Sequence, residues 1–254
     1  MRPIVVGMVL MGFAFASVGE ARADRKGFAW TYPYMTLPEG SLELEHYLDV
    51  KLNDWDDPDA AEKDGSWSQV DWQHQVEVEY AVTDRLDFGL YNVFRQKPYG
   101  EFKYRGAKFR GRYRLAEEGA LFVDPAAYME VAYYGDEVKL EEMLILGRWL
   151  GPVQLALNIK VEQEYKLESE SWKHEIIPTF AIGYHFTPRF SVGIEYYGKL
   201  EIEDGEAGDF QSYLGPTISV LGKKIWWTLG VQPALAGNGD GAEIQIRSVM
   251  GILF

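Results

Sequence analysis

Hydrophobic and polar residues alternate along most of the chain, and the last thirteen residues show the pattern most clearly. Counting back from Phe254, every second residue to Ile244 forms one mostly apolar row, whereas Glu243, Gln245 and Arg247 fall on the opposite side. A period of two predicts a β-strand with two unlike faces. An amphipathic last strand that ends in an aromatic residue is typical of bacterial outer-membrane β-barrels. There the apolar face contacts lipid and the polar face lines the lumen.

The same alternation recurs along the chain and predicts an all-β fold, a transmembrane antiparallel up-and-down barrel of about twelve strands. Connections after even-numbered strands are mostly tight, and those after odd-numbered strands are often longer, as expected for periplasmic turns and outer loops. The phase of strand six stays open because Glu141 and Glu142 are adjacent, and a β-bulge is one solution. The predicted strands cover approximately residues 42–52, 68–80, 86–95, 104–115, 124–134, 138–149, 153–162, 175–186, 190–199, 211–220, 225–235 and 242–254.

Aromatic residues at strand ends predict two interfacial girdles, and aromatics make up 15% of the chain. A periplasmic β-sandwich is the alternative fold, but it does not account together for the alternation, the loop asymmetry and the terminal Phe254. Candidates for the inner rim are Tyr80, Trp149, Phe186, Phe190, Trp227 and Phe254, and those for the outer rim are Trp67, Tyr133 and Tyr196.

The first 23 residues predict a secretory signal peptide, with Arg2 as the basic start, an apolar run and an A-x-A site that ends at Ala23. We therefore expect three parts: a signal peptide at 1–23, a periplasmic lead-in or partial plug at 24–40, and the barrel at 41–254. The second part is aromatic and interrupted by prolines. The expected location is the outer membrane, in contact with lipid and lipopolysaccharide, and the strand that ends at Phe254 is expected to engage the barrel-assembly machinery.

Composition narrows the possible partners. The formal net charge is −14, which argues against a nucleic-acid partner because such a partner needs a basic surface. The chain has no cysteine, so stability must come from a closed hydrogen-bonded sheet or a large core rather than from disulfides. Nothing in the sequence implies catalysis, an organic cofactor or a metal centre.

Three stretches carry a family resemblance: TLPEGSLELE at 36–45, YAVTDRLDFGLY at 80–91 and LILGRWLGPVQLALN at 144–158. They resemble a family of outer-membrane proteins described as phenol-degradation meta-pathway proteins or as transporters. The resemblance would span most of the exported chain, and its motifs are mainly strands and turns. It implies an outer-membrane barrel of poorly defined cargo and carries over no functional residue.

Charged side chains on the predicted inward faces form rows of opposite sign. Such rows set a transverse field and orient passing solutes, and a row of guanidinium groups can pass an anion along. We therefore expect a channel or transporter for small solutes, anionic or aromatic ones included. The alternative is a sealed structural or adhesive barrel in which the same charges pair with one another. The cationic row is Lys108, Arg110, Arg112 and Arg114, the acidic row is Glu43, Glu45, Asp71, Glu77 and Glu79, and Lys160, Glu162 and Arg247 complete the set.

Each of two further residue clusters can be interpreted either as a functional site or as ordinary structure. The acidic stretch 54–67 has oxygen ligands for a divalent cation but lacks the calcium-loop spacing, so a solvated surface loop is favoured. His46, His74 and Ser248 fall on the lipid face of neighbouring strands, where a lipid-acting hydrolase would need a third, orienting group. The sequence offers no such group, and the simpler interpretation is a neutral histidine pair at a self-association surface or under the segment Asp24 to Pro38.

Overall fold

The computed structural model describes residues 26–52, 70–98, 100–203, 205–235 and 241–254. The predicted signal peptide, the acidic stretch 54–67 and the girdle candidate Trp67 therefore lie outside the described residues. Within the described part of the chain there is no helix long and apolar enough to cross a membrane.

The described chain forms antiparallel strands that follow the predicted pattern closely. The strands are β1 (Leu42–Leu52), β2 (Asp71–Thr83), β3 (Leu86–Gln96), β4 (Lys103–Arg114), β5 (Asp124–Tyr133), β6 (Glu137–Leu150), β7 (Val153–Lys166), β8 (Ser171–Thr187), β9 (Phe190–Glu203), β10 (Glu206–Ala207), β11 (Gln211–Leu221), β12 (Ile225–Pro233) and β13 (Ile244–Leu253).

Twelve of these strands close into one barrel. Each strand pairs with its neighbour in sequence, β9 pairs with β8 and β11, and β13 pairs with β1. The two-residue β10 only folds back on β9 and is not part of the ring. At the seam Asp49 faces Arg247 of β13 on one side and Gln73 of β2 on the other. The predicted twelve-stranded antiparallel barrel is therefore confirmed, and the ring has no free edge.

Both ends of the barrel sequence meet at one rim, which we call the terminal rim. There the Phe254 amide donates to the Leu42 carbonyl at 2.8 Å. Tight turns at 84–85, 151–152, 188–189 and 222–224 lie at this rim. The predicted asymmetry has three exceptions, because the connection at 115–123 on this rim is long and those at 134–136 and 167–170 on the opposite rim are short.

The two faces of the wall differ as the alternation requires. On β3, for example, the outward Leu90 is 51% exposed and the inward Tyr91 is 2% exposed. Strand β6 needs no bulge, since its register with β5 and β7 is continuous. Glu141 is buried on the inner face, and Glu142 is exposed on the outer one.

One girdle assignment is wrong. Trp149 shares the inward row of Met143 and Ile145 and packs against the interior cluster that contains Tyr34. Its ring therefore faces the lumen instead of the membrane interface. At the terminal rim Tyr80, Phe186 and Phe254 are well exposed on the outer surface.

Substitution of two outward leucines on β6 tests whether this surface faces hydrocarbon. Leu144 lies in the middle of the strand and Leu150 at its end on the terminal rim. Leu144→Arg should cost about 2–4 kcal/mol of unfolding free energy, whereas Leu150→Arg should cost about 0–1 kcal/mol, because the penalty falls toward the interface. Denaturant titration of the protein folded in phospholipid vesicles measures both. Equal losses would contradict the membrane-facing assignment.

Candidate functional site

Residues 26–37, which we call the inner segment, lie inside the barrel. All of them except Tyr32 are buried, with Tyr34 and Leu37 at 1% and 0% exposure. The segment forms neither helix nor strand. This is in keeping with Pro33, which has no backbone N–H to contribute to a regular ladder.

Side chains of the barrel wall hold the backbone of the inner segment. The Glu195 carboxylate accepts hydrogen bonds from the amides of Ala29, Trp30 and Thr31 at 2.6, 2.9 and 3.0 Å. The Asn158 side chain accepts from the Tyr32 amide at 2.6 Å and donates to the Tyr32 carbonyl at 3.0 Å. These contacts satisfy peptide groups that would otherwise be buried without a partner.

Glycines in the inward rows leave hollows for the aromatic side chains of the segment. Phe28 lies over Gly183, and a Cβ atom at that glycine would come within 2.9 Å of its ring. Likewise, Tyr34 fills the space at Gly147, and Trp30 fills the space at Gly230. An inward side chain at any of these three positions would push the segment off the wall. They are Gly183 on β8, Gly147 on β6 and Gly230 on β12.

Beside the inner segment, on strands β2 to β4, lies a fully buried ionic cluster. The Arg110 Nη2 atom is 2.7 Å from Glu77 Oε1, and Arg112 Nη2 is 2.9 Å from Glu79 Oε1 and 2.8 Å from Asp87 Oδ2. All five side chains are 0% exposed. The pair Arg110–Glu77 reaches over β3 because Gly89 has no side chain to separate them. This cluster is a buried set of ion pairs within the wall.

Lys26 connects the inner segment to this cluster. Its Nζ atom lies 2.6 Å from Glu45 Oε2 and 3.7 Å from Glu77 Oε2. Burial acts to lower the pKa of Lys26, but the nearby carboxylates, Glu45 foremost, raise it above its ordinary value, so the side chain stays charged. Carboxylate oxygens of Glu45, Glu77 and Glu79 lie within 4.8 Å of one another. The cations already bound to them supply the charge that a metal ion would bring.

The predicted cationic row therefore divides into three parts. Arg110 and Arg112 are enclosed in the cluster. Arg114 lies at the terminal rim with its Nη2 atom 3.4 Å from Glu117. Lys108 alone of the four reaches the open lumen, and its Nζ atom is 2.9 Å from Glu130 Oε1. Among the predicted carboxylates, Glu43 also lies at the terminal end, where it accepts a hydrogen bond from the Trp226 indole.

The half of the lumen away from the terminal rim is a cavity of about 580 Å³, which we call the vestibule. Ten Lys or Arg and eight Asp or Glu side chains line its described wall. Most pair across adjacent strands: Lys160 Nζ lies 2.9 Å from Glu141 Oε2, and Lys139 Nζ lies 2.9 Å from Glu162 Oε1. The predicted residues Asp71, Lys108, Lys160, Glu162 and Arg247 all line it.

A smaller cavity of about 110 Å³ lies next to the vestibule and shares several of its lining residues, and we call it the aromatic chamber. Trp30 and Tyr32 of the inner segment form part of its lining. Lys108, Lys160 and Arg247 reach both cavities. A solute that enters the vestibule would thus meet the inner segment next. The wall contributes Tyr47, Tyr91, Tyr128 and Tyr197 to the chamber.

Among the described residues, no hydrogen bond joins Ser248 to His46 or His74 on the outer wall. His46 Nε2 lies 3.1 Å from His74 Nδ1, so the histidine pair forms. Ser248, however, is opposite Leu48, which separates it from His74 two strands away. The Ser248 hydroxyl accepts instead from the Trp227 indole at 2.8 Å.

Sequence reasoning missed the residues that hold the inner segment, chiefly Asn158 and Glu195, and the buried partner Asp87. The alternation placed Asn158 and Glu195 on inward faces but gave no sign that they bind the chain's own backbone. A usable signal was present in the glycines at 147, 183 and 230, which interrupt otherwise side-chain-bearing inward rows. Glycine in a strand often marks a close approach of another part of the chain.

Comparison with known proteins identifies the fold. The model of DUF6662, a family of unknown function, matches residues 151–249, which is less than half of the chain. Among solved structures, the COG4313 outer membrane channel from Pseudomonas putida F1 is similar with a TM-score of 0.63 at 13% identity. The match covers 87% of this chain and 98% of that one. The NanC porin follows with a TM-score of 0.55 at 8% identity, covering 83% and 98%. No curated protein sequence matches the chain.

At such low identities the likeness establishes the fold, that of outer-membrane channel and porin barrels. The resemblance drawn from the sequence is therefore confirmed only in its coarser part, the outer-membrane barrel. The family model that matches is that of DUF6662, and the phenol-degradation family is not shown.

Arg112 and Arg114 occupy the same inward row of β4 and form a matched pair for substitution. Arg112→Met would leave Glu79 and Asp87 buried without that guanidinium, and the expected loss of unfolding free energy is about 3–5 kcal/mol. Arg114→Met breaks a contact with Glu117, which is 58% exposed, and should cost at most about 1 kcal/mol. Denaturant unfolding in vesicles compares them. Similar losses would show that the cluster is not the enclosed structure described above.

Proposed function

We propose that this protein is an outer-membrane channel for small solutes, entered through the vestibule and closed by the inner segment. The observation that carries the proposal is the continuity of the interior. The vestibule leads to the aromatic chamber, and the chamber ends on Trp30 and Tyr32 of the segment. The outer-membrane channel fold supports it. The exposed apolar belt and Phe254 at the rim support a setting of outer-membrane lipid and lipopolysaccharide.

The arrangement of the ion pairs favours a channel over a barrel sealed by its own charges. Lys108 on β4 pairs with Glu130 on β5, and Lys160 on β7 pairs with Glu141 on β6. Partners on adjacent strands lie flat along the wall and do not cross the bore. The described element that does cross it is the inner segment, so displacement of that segment would open a passage.

The inner segment is attached in a way that permits displacement. Its backbone is held by side chains such as Glu195, Asn158 and Thr228, whereas the strand backbones are already paired with one another around the ring. Detaching the segment therefore breaks no strand pairing. Loop motions of this kind occur on nanosecond to microsecond timescales and collective openings on slower ones.

The lining suggests which solutes pass. The described vestibule has a small excess of cationic side chains, and Lys108, Lys160 and Arg247 extend it into the aromatic chamber. Tyrosine and tryptophan faces in the chamber offer apolar contact beside these charges. Small anionic or aromatic solutes fit this combination. Lys108 replaces the buried Arg110 and Arg112 as the member of the predicted row that a solute can reach.

A disulfide between the segment and the wall tests the gate, and the absence of native cysteine makes the experiment clean. A Cβ atom at Gly230 would lie 2.8 Å from the Ala29 Cβ atom, about 1 Å short of disulfide spacing. In planar bilayers the oxidised Ala29→Cys/Gly230→Cys variant should show no stepwise conductance, and reductant should restore steps like those of the Gly230→Cys single variant.

The single variants Ala29→Cys and Gly230→Cys are the controls, since a side chain at Gly230 also presses on the Trp30 ring. Their conductance should not respond to reductant. Equal activity of the double variant before and after reduction would contradict the gate. Complete absence of steps in the unmodified protein at every voltage would favour the sealed structural barrel.

Ion selectivity tests the role of the exposed cations. Lys108→Met/Lys160→Met removes two positive charges from the open lumen, so the reversal potential under a salt gradient should shift toward cation selectivity. Arg114→Met, which removes one positive charge at the terminal rim outside both cavities, is the control and should shift the reversal potential by less than half as much. An unchanged reversal potential in the double variant would exclude these lysines from the solute path.

A further inference from the structure

The contacts of the inner segment describe what the barrel interior recognises. Glu195 receives three consecutive backbone N–H groups, and Asn158 binds both the N–H and the C=O of Tyr32. The Thr228 hydroxyl donates to the Lys26 carbonyl. None of these contacts involves a side chain of the segment. They recognise peptide groups, whatever the sequence that carries them.

The barrel wall also contacts the side chains of the inner segment. Alternate residues of the segment pack against the wall, and Tyr32 and Tyr34 share one cluster. Phe28 packs with Ala156 and Ala181, and Trp30 lies on Gly230. Tyr32 contacts Tyr128 with ring centroids 5.5 Å apart, and Tyr34 joins the cluster around Ile145. Proteins bind peptides by combining backbone contacts with side-chain pockets, and here the bound backbone is bent at residues 27–31.

The wall groups that make these contacts are built into rigid strands and enclosed. Glu195 and Asn158 are 0% and 1% exposed and sit in the middle of β9 and β7. If the segment leaves, the Glu195 carboxylate loses three backbone donors and the Asn158 amide loses two backbone partners, and the wall leaves Asn158 the Thr179 hydroxyl at 3.2 Å. Buried polar groups without partners are costly, so an open barrel would favour a solute that supplies equivalent N–H and C=O groups.

We propose that the barrel interior is a binding site for a peptide backbone, that residues 26–37 are its intramolecular occupant, and that short peptides with apolar side chains at alternate positions are its solutes. The inference rests on the proposed channel, since it names the solute class that replaces the gate. Binding of such a peptide from the vestibule side competes with the inner segment and so couples the arrival of the solute to opening.

The experiment uses the full chain with a loosened segment, Phe28→Ala/Trp30→Ala, which leaves every wall residue intact. The probe is a fluorophore-labelled peptide of residues 26–34, KGFAWTYPY. Binding to the protein in vesicles is followed by fluorescence anisotropy, and block of conductance is followed in planar bilayers. The peptide should bind at least about tenfold more tightly than a scrambled peptide of the same composition.

Three arms separate backbone recognition from general adhesion. N-methylation at the positions of Trp30 and Tyr32 removes donors to Glu195 and Asn158 and should weaken binding at least about tenfold. Asn158→Leu in the loosened protein should weaken binding of the unmodified peptide to a similar extent. Gln73→Leu, an amide change in the vestibule wall, is the matched control and should leave binding unchanged.

A second peptide of unrelated sequence, with aromatic residues at alternate positions, tests the solute class. The concentration of this peptide that displaces half of the labelled peptide should lie within about tenfold of that needed with unlabelled peptide 26–34. Failure to compete would limit the site to the chain's own segment and overturn peptides as solutes. Equal binding of the N-methylated and unmodified peptides would overturn the backbone site itself.

The two proposals can fail separately. Anisotropy reports binding whether or not the barrel conducts, so bound peptide without any conductance would overturn the channel but keep the site. Conductance of the loosened protein that the peptide does not block, together with absent binding, would keep the channel and overturn the peptide site.

Discussion

Hydrocarbon offers no hydrogen-bond partner to a peptide group, and the whole architecture depends on this constraint. A sheet in such a medium must close, because an open edge would leave a row of unpaired N–H and C=O groups. In this chain the seam is the pairing of β13 with β1, which runs from Glu43–Leu253 to Leu52–Ile244. Closure then forces one face of every strand outward and the other inward, and the alternation of the sequence follows.

The same closure determines how charge is accommodated inside. A narrow interior cannot hold isolated ions, so most interior cations of the described strands lie close to a carboxylate, and Lys26 of the inner segment lies close to Glu45 of the wall. Where partners sit two strands apart, as Arg110 and Glu77 do, the intervening residue is Gly89. The ionic cluster at one end and the ion pairs along the vestibule wall at the other both meet the requirement that interior charges have partners. They differ in whether water reaches them.

The sequence predicted the ring and its two faces well because both follow from a period of two. Each strand carries its own evidence for this, and even the adjacent Glu141 and Glu142 fall into the regular phase once both neighbouring strands are in register. Trp149 was misplaced because an aromatic near a strand end satisfies the expectation for a girdle and for a lumen contact equally. Trp149 is an even number of residues from the inward Ile145, and this phase places its ring in the lumen.

The interior was predicted less well for a physical reason. Alternation shows that Arg112 and Lys108 both point inward, but it contains no information about distance across a lumen. Whether an inward group meets a partner, water or the inner segment depends on the radius and tilt of the ring and on where residues 26–37 lie. Those are properties of all twelve strands together. The glycines at 147, 183 and 230 were a local sign that another part of the chain approaches the wall. The structure shows that the inner segment packs against them.

The way the inner segment is held links the fold to the proposed gate. In a closed barrel most wall peptide groups are already paired with the neighbouring strand, so whatever binds inside is held mainly by side chains. Glu195, Asn158 and Thr228 meet this condition. Because the segment contributes nothing to the ladder of the ring, its departure costs only its own contacts. Each of those contacts is one that a solute with the same donors and acceptors can replace.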